Sequence, residues 1–260
     1  MANRGVDPWM PGEGVQVVLP TQHILPRAPR QGIVINLPEM RLYYYLPAQG
    51  DVRQVVTYPI SIGRFDWRTP LGVTNISQKV ANPSWTPPES IRIEHAAKGD
   101  ILPPVVPAGP DNPLGQFALR LGVPGYLIHG TNKPYGIGMR VTHGCLRLYP
   151  EDIAALFGQV APGVRVNFVS QPFKVGQAFG VTYLEVHHPL REEQGRKAGA
   201  LGEIARQLAD LGVATADVDW DAVRQELARP TGMPVPISRP EDVMLLDASL
   251  DSGAVLATQP

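Results

Sequence analysis

The 260-residue chain contains a single cysteine, Cys145, in the run Thr-His-Gly-Cys-Leu-Arg at positions 142–147. One thiol cannot form an internal disulfide, and by itself it cannot build a cysteine metal site. A lone cysteine beside a histidine and a glycine indicates nucleophilic catalysis. The alternative is a buried cysteine that packs as a small hydrophobic side chain, but the polar and cationic neighbours of Cys145 favour the nucleophile.

The residues around the thiol could supply the rest of an acyl-transfer site. A free thiol has a pKa of about 8.5 and is mostly protonated at neutral pH, so His143 could accept its proton to give a thiolate–imidazolium pair. Gly144 permits a tight turn that could aim backbone N–H groups at an oxyanion. On a regular strand His143 and Cys145, two positions apart, would share a face. The sequence therefore predicts that Cys145, His143 and Gly144 are catalytic.

Other residues near the motif have both a functional and a structural interpretation. His129 begins a His-Gly-Thr-Asn run, and it either shapes the substrate pocket near the thiol or bonds to the backbone of its own turn. Arg147 either binds a substrate carboxylate or braces the loop through backbone carbonyls. Thr142 is predicted to join these substrate contacts. Trp85 and Tyr135 are candidates for stacking on a glycan or peptide, although each could simply pack.

The stretch 128–148 resembles the signature of the L,D-transpeptidases with a YkuD-type catalytic domain. That signature is a histidine, a variable spacer, then Ser/Thr-His-Gly-Cys, an apolar residue and Arg or Asn, and the matching residues are His129, Thr142, His143, Gly144, Cys145, Leu146 and Arg147. The resemblance covers 14–190 and includes Thr-Pro-Leu-Gly at 69–72 and Tyr-Leu-Ile-His-Gly at 126–130. It is nearest to a periplasmic branch that includes enzymes attaching the outer-membrane lipoprotein to peptidoglycan.

The resemblance implies a mainly β, β-sandwich-like fold and a transpeptidase that acts on peptidoglycan stem tetrapeptides. Cys145 would attack the carbonyl between the third residue, a diamino acid, and the fourth, D-Ala, and an amine would resolve the thioester. That amine would come from another stem peptide, giving a 3-3 cross-link, or from a lysine of an anchored lipoprotein. The alternatives are an L,D-carboxypeptidase that uses water and a peptidoglycan-binding protein without activity. The resemblance implies no cofactor and a thiol that carbapenems acylate.

Composition narrows the partners and the location. The formal net charge of −1 gives no electrostatic reason to expect nucleic acid as a partner. No apolar run approaches the roughly 20 residues of a membrane-spanning helix. The first residues lack the apolar region of a signal peptide, and the family resembled works outside the cytoplasm, so we expect a periplasmic protein whose export signal has been removed.

A histidine metal site is not expected. His187 and His188 are adjacent at the end of a predicted strand, so their side chains would point to opposite faces and could not easily meet at one ion. No His-Glu-x-x-His run occurs in the sequence, so the zinc-protease pattern is also missing.

Local composition divides the chain into three predicted regions. Residues 1–30 are rich in Pro and Gly and are expected to form an extended lead-in. Residues 31–170 are expected to form the catalytic domain, and residues 171–260 a hairpin followed by a helical subdomain and a tail.

Within these regions the patterns predict individual elements. A short strand is predicted at 15–19, and a long irregular excursion at 82–113 because that stretch carries many prolines. A helix is predicted at 150–157, where a proline and two acids suit the first turn. A hairpin is predicted at 173–188, and two amphipathic helices within 191–229 must bury their apolar stripes on some surface.

Overall fold

The computed structural model describes residues 3, 5–7, 10–48, 50 and 53–239, so the predicted tail beyond 239 lies outside the described residues. This part of the chain is mainly β, as predicted. It divides into two compact units. The sheet unit is 28–170, and the hairpin unit comprises the described residues of 1–27 and 171–239. No helix in the described ranges is long and apolar enough to cross a membrane.

The described residues of the sheet unit form ten strands and two α-helices. The strands are β1 (Gly32–Asn36), β2 (Arg41–Tyr45), β3 (Val55–Pro59), β4 (Ile62–Gly63), β5 (Gly72–Ala81), β6 (Phe117–Leu121), β7 (Leu127–His129), β8 (Arg140–Thr142), β9 (Leu146–Arg147) and β10 (Arg165–Val169). The helices are α1 (Glu89–Ala96) and α2 (Pro150–Gln159). Eight strands form one sheet in the order β3-β2-β1-β10-β5-β6-β7-β9, and β4 pairs with β8 separately.

The centre of this sheet is apolar on both faces. Ile33, Val34 and Ile35 of β1 are fully buried, and the β-branched and aromatic side chains of β1 and β2 suit a pleated, covered surface. At one edge, β7 and β9 run parallel with Ile128 opposite Leu146, and both of these side chains are fully buried. The sheet therefore anchors the strand that follows Cys145 through its core-facing residues.

The two helices of the sheet unit had different sequence signals. The helix predicted at 150–157 is confirmed as α2, with Pro150 in the first turn and Ile153 and Leu156 buried. The prediction that 82–113 is irregular throughout is wrong, because α1 forms inside it. Pro88 immediately precedes α1 and Glu89 lies in its first turn, an arrangement that favours a helix start.

The short strand predicted at 15–19 does not form. The side chains of Val15, Val17, Val18 and Leu19 are exposed, and the backbone N–H of Val18 donates to the side chain of Asn3. A run of β-branched residues becomes a strand only where a neighbouring strand accepts its ladder of hydrogen bonds, and this segment has no such pairing among the described residues.

The hairpin unit contains β11 (Phe173–Ala178), β12 (Val181–Val186), β13 (Val235–Pro236), α3 (Ala200–Asp210) and α4 (Trp220–Ala228). The predicted hairpin is confirmed, and its turn at Phe179 and Gly180 has positive φ at both residues, as a two-residue hairpin turn requires. Both predicted helices form. Their apolar stripes bury against the hairpin in one core, whose buried members are Phe173, Val175, Leu184, Val186, Ala200, Ile204, Leu208, Val218, Val223 and Ile237.

The hairpin also carries a buried set of charges. Lys174 of β11 faces Glu185 of β12 in the ladder, and the Lys174 Nζ lies 2.8 Å from the Glu185 Oε1. The Nε2 atom of His187 lies 2.6 Å from the same Oε1. The Lys174 ammonium also donates to the carbonyl of Ile24. His187 is thus engaged by a carboxylate of its own hairpin.

Candidate active site

The cysteine lies in a turn between β8 and β9, where the chain leaves one strand and enters the next. Gly144 has φ of +102°, and a Cβ at this position would lie 2.9 Å from the Cε1 atom of Tyr126. The site therefore requires glycine for both conformation and space. The prediction that His143 and Cys145 share a strand face is wrong, because the bend at Gly144 breaks the alternation on which it depended.

Thr142 holds this turn together. Its side chain is buried, and its hydroxyl donates to the Cys145 carbonyl at 2.6 Å and accepts from the Gly144 N–H at 3.2 Å. These bonds give the Thr142 hydroxyl a structural role on both sides of the glycine, and its predicted substrate contact stays a prediction.

The thiol of Cys145 is half-buried, and its Sγ lies 3.6 Å from the carbonyl of Gly125. Burial raises the pKa of the Cys145 thiol above its usual value, while a hydrogen bond from the Leu127 amide and the charge of Arg147 act in the opposite direction. The resting group is therefore a thiol at neutral pH, and a nucleophilic role needs a base.

His129 lies on the strand next to the cysteine. It pairs across β7 and β9 with Arg147, two residues after Cys145, so His129 lies on the strand next to the one that Cys145 leads into. The imidazole is buried, with Nδ1 2.6 Å from the Gly130 carbonyl. A carbonyl only accepts, so Nδ1 carries the proton and Nε2 keeps a lone pair.

The environment keeps His129 neutral. Burial is the main cause that lowers the pKa of His129, to about 3, and the charge of Arg147 adds to the effect. The carbonyls of Gly130 and Leu114 act in the opposite direction without reversing it. A neutral imidazole with one nitrogen held by the backbone can accept a proton at the other. Of the two sequence-based alternatives for His129, the structure shows the backbone bond, and its role in the substrate pocket stays a prediction.

Arg147 brings a positive charge to the thiol. Burial lowers the pKa of its guanidinium, while Cys145 and Tyr135 act to raise it. Its backbone exchanges hydrogen bonds with Ser61, but within the described residues its buried Nε has no hydrogen-bond partner. The loop is therefore braced by the Arg147 backbone, and the side chain has donor capacity left for a ligand. Tyr135 is exposed, and its predicted stacking role stays a prediction.

His143 points into a network of charges. Its Nε2 lies 2.8 Å from the Glu94 Oε2, and its ring meets Trp67 edge-on with centroids 5.0 Å apart. Arg64 donates both terminal nitrogens to the Glu94 carboxylate, at 3.0 and 2.9 Å. Hydrogen bonds from Arg64, then Lys98 and His143, hold the pKa of Glu94 well below its usual range. The sequence reasoning did not identify Glu94, because this residue lies on α1, in the segment 82–113 that was predicted to be irregular.

Trp85 lies outside this cluster of contacts. Its backbone pairs with Val106 inside the 82–113 segment, and its side chain is half-buried. The predicted stacking role of Trp85 therefore stays a prediction.

Comparison with known proteins gives matches along most of the chain. The family model of YkuD, described as the L,D-transpeptidase catalytic domain, matches residues 30–168. The probable L,D-transpeptidase YcfS of Escherichia coli K12 is 45% identical over 243 residues, which are 92% of this chain and 75% of that protein. The probable L,D-transpeptidase YbiS of the same strain is 42% identical over 240 residues, 90% of this chain and 76% of that protein. A solved Enterococcus faecium L,D-transpeptidase mutant has 19% identity and a TM-score of 0.40, over 54% of this chain and 49% of that one.

Proposed function

The chain belongs to the YkuD family of L,D-transpeptidases, and from this membership we propose that it transfers acyl groups of peptidoglycan stem tetrapeptides through a thioester on Cys145. The observation that carries the proposal is the half-buried Cys145 thiol in the turn that leads into β9, the strand on which Arg147 pairs with the neutral His129 of β7. The buried Nε of Arg147 has no hydrogen-bond partner in the described chain. We propose 31–170 as the catalytic domain and 171–260 as an appended region, and we propose that the protein works in the periplasm on peptidoglycan.

In the first half-reaction the Cys145 thiol loses its proton and attacks the carbonyl between the diamino acid and D-Ala. The Sγ–C bond forms, the carbonyl electrons move to oxygen, and the C–N bond then breaks as D-Ala leaves with a proton. The Cys145 N–H is proposed to stabilise the oxyanion. The neighbouring Gly144 N–H donates to the Thr142 hydroxyl instead.

We propose that His129, and not His143, accepts the thiol proton. His129 pairs with Arg147 on the strand that follows Cys145, and the Gly130 carbonyl fixes its tautomer. The Nε2 of His143 is instead occupied by Glu94. A neutral imidazole that becomes cationic only in the reaction can stabilise the developing thiolate without a resting ion pair.

Arg147 is proposed to bind a carboxylate of the stem peptide. Guanidinium suits a carboxylate because its paired N–H groups match two oxygens, and the buried Nε is not engaged elsewhere in the described chain. Tyr135, which is exposed, is proposed to contact the same substrate.

The acyl acceptor is proposed to be an amine, either the diamino acid of a second stem peptide or a lysine of an outer-membrane lipoprotein. The amine attacks the thioester carbonyl, the C–S bond breaks, and the amine's proton passes to the thiolate. Neither step calls for a cofactor.

Products from defined muropeptides test the proposal. Purified protein would be incubated with a tetrapeptide muropeptide, with and without a peptide from a lipoprotein C-terminus, and the products weighed by mass spectrometry. We expect release of D-Ala together with a 3-3 dimer or a peptide adduct. Tripeptide alone would indicate an L,D-carboxypeptidase, and binding without any product would indicate a non-catalytic peptidoglycan-binding protein.

A further inference from the structure

We propose that Thr69 is a positioning residue that orients the peptide between Gly144 and Cys145, so that the Cys145 N–H is held toward the oxyanion. This inference rests on the proposed function and adds to it a residue outside the cysteine motif. Thr69 is 8% exposed and lies in the segment between β4 and β5. It belongs to the Thr-Pro-Leu-Gly run at 69–72.

The hydroxyl of Thr69 has both of its bonding directions fixed. Its Oγ1 accepts from the Gly63 N–H at 3.0 Å and lies 2.8 Å from the Gly144 carbonyl oxygen. A hydroxyl has one hydrogen to donate, and a backbone N–H can only donate. The hydrogen of the Thr69 hydroxyl is therefore committed to the Gly144 carbonyl.

Fixing that carbonyl also fixes the next N–H. The peptide unit is planar and trans, so the Cys145 N–H points opposite to the Gly144 C=O in the same plane. Within the described chain the Cys145 N–H has no hydrogen-bond partner, whereas the Gly144 N–H is bonded to Thr142. The Cys145 N–H is thus the donor of this turn that remains for a ligand, and the Thr69 hydroxyl holds its direction from behind.

The segment that carries Thr69 packs directly on the cysteine turn. A Cβ added to Gly63 would lie 1.9 Å from the Trp67 carbonyl oxygen and 3.0 Å from the Gly144 Cα. This close approach of backbone to backbone requires glycine at 63. The contact restricts the position of the Thr69 hydroxyl, because its donor, the Gly63 N–H, and its acceptor, the Gly144 carbonyl, belong to two segments that touch.

Two reactions of the Cys145 thiol distinguish an effect on the orientation of the Cys145 N–H from an effect on the reactivity of the Cys145 sulfur. A carbapenem acylates Cys145 when the Sγ–C bond forms at the lactam carbonyl, an oxyanion appears and collapses, and the ring C–N bond breaks with the nitrogen taking a proton. Iodoacetamide alkylates it when the thiolate displaces iodide at a saturated carbon, where no oxyanion develops. Only the first reaction depends on the oxyanion donor.

The test compares the Thr69→Val, Thr69→Ser and Thr57→Val variants with wild type by intact-mass time courses for both reagents. We expect Thr69→Val to slow acylation by roughly ten- to a hundredfold, less than the 10²–10³ typical of losing an oxyanion donor outright. Its alkylation rate should stay within about twofold, because the thiolate itself is unchanged. Thr69→Ser keeps the hydroxyl and should recover most of the acylation rate. Thr57→Val, which loses a hydroxyl bonded to Arg41, is the matched control and should change neither rate.

Each other result would count against the inference. Wild-type acylation in Thr69→Val would show that the hydroxyl does not orient the donor. Equal slowing of acylation and alkylation would show that Thr69 supports the turn or the thiol in general. A wild-type protein that is alkylated but never acylated would instead contradict the proposed function itself.

Discussion

The buried charges of the hairpin unit are paired, whereas among the described residues the guanidinium near the Cys145 thiol in the sheet unit is not. In the hairpin unit, Lys174 and Glu185 are almost completely buried and face each other across the ladder. In the sheet unit, Arg147 is half-buried beside the Cys145 thiol, and in the described chain it has no acidic partner. Paired charges complete a structure, whereas an unpaired guanidinium beside a thiol keeps its capacity for a ligand.

The difference extends to the neighbouring histidines. In the hairpin unit the Nε2 atom of His187 bonds to the carboxylate of Glu185, so its partner is a charged side chain of the same hairpin. In the sheet unit His129 bonds to a backbone carbonyl, which fixes the tautomer without adding charge. Titratable residues alone therefore do not identify a site. What distinguishes His129 and Arg147 from the paired groups of both units is that the backbone holds His129 at one ring nitrogen and that the buried Nε of Arg147 has no partner in the described chain.

The largest expected effect is that of removing the Cys145 thiol, which tests whether this thiol is the nucleophile. Cys145→Ala should lower stem-peptide turnover by about 10⁴-fold or more, because removal of a nucleophile leaves only binding and oxyanion contributions. The free energy of unfolding should change by less than about 1 kcal/mol, since the thiol is half-buried and weakly bonded. Product mass spectrometry and thermal melting measure the two quantities. Turnover near the wild-type rate would end the nucleophile assignment.

The next effect distinguishes the two histidines of the sheet unit. His129→Gln should slow acylation by about 10²- to 10⁴-fold, the usual contribution of a general base. The remaining rate should rise with pH, because the thiolate must then form without a base. His143→Ala should cost less and keep the wild-type pH profile. Melting curves of both variants check that the fold persists.

The opposite ranking would reverse the assignment. If His143→Ala abolished the acid limb of the pH profile while His129→Gln kept the wild-type rate, His143 would be the base and Glu94 its orienting partner. Thiol alkylation by iodoacetamide in each variant gives an independent measure, because alkylation reports thiolate formation without an acyl step.

The sequence predicted those elements that are encoded by residues close together in the chain. The helix at Pro150, the hairpin turn at Gly180 and the two amphipathic helices after 191 each carry their own periodicity or turn residues, and the structure has all of them. The cysteine motif indicated acyl transfer from six consecutive residues. Its nucleophile, base and substrate contacts stay predictions until variants are measured.

What the sequence did not predict depends on contacts between distant segments. Glu94 reaches His143 across 49 positions and Thr69 reaches Gly144 across 75, and no local pattern encodes either approach. The helix carrying Glu94 was hidden by the prolines around it, although Pro88 followed by Glu89 is a helix-start signal. The shared face of His143 and Cys145 failed because the positive φ of Gly144 cannot be inferred from strand alternation.

The charged pair of the hairpin unit predicts a large effect on stability and none on the thiol. Lys174→Met leaves the Glu185 carboxylate buried without its facing ammonium, which should cost about 3–5 kcal/mol of unfolding free energy at neutral pH. Denaturant unfolding measures the loss, and iodoacetamide alkylation of the folded variant should keep the wild-type rate. A loss under about 1 kcal/mol, typical of an exposed pair, would show that the pair contributes little.

The same pair sets a direction for the pH dependence of stability. Burial alone would raise the pKa of Glu185, but Lys174 and His187 outweigh it and lower the pKa below its usual 4.5. A depressed carboxyl stabilises the fold above its unfolded pKa and loses that contribution as pH falls through the folded one. Wild type should therefore lose stability below about pH 4.5, and Lys174→Met should lose less over the same acidic range. Parallel acid profiles for the two proteins would contradict this linkage.

The smallest expected effect tests the apolar core of the hairpin unit. Leu208 of α3 is fully buried in the cluster that joins α3 and α4 to the hairpin, so Leu208→Ala should cost about 2–4 kcal/mol by leaving a cavity. Leu201 on the same helix is exposed, so Leu201→Ala is the matched control and should cost less than about 0.5 kcal/mol. If the helices only cover the hairpin, Leu208→Ala should lower the melting temperature and leave the ratio of cross-linked, peptide-adduct and hydrolysed products unchanged. A changed product ratio in a folded Leu208→Ala protein would instead show that these helices help to select the acyl acceptor.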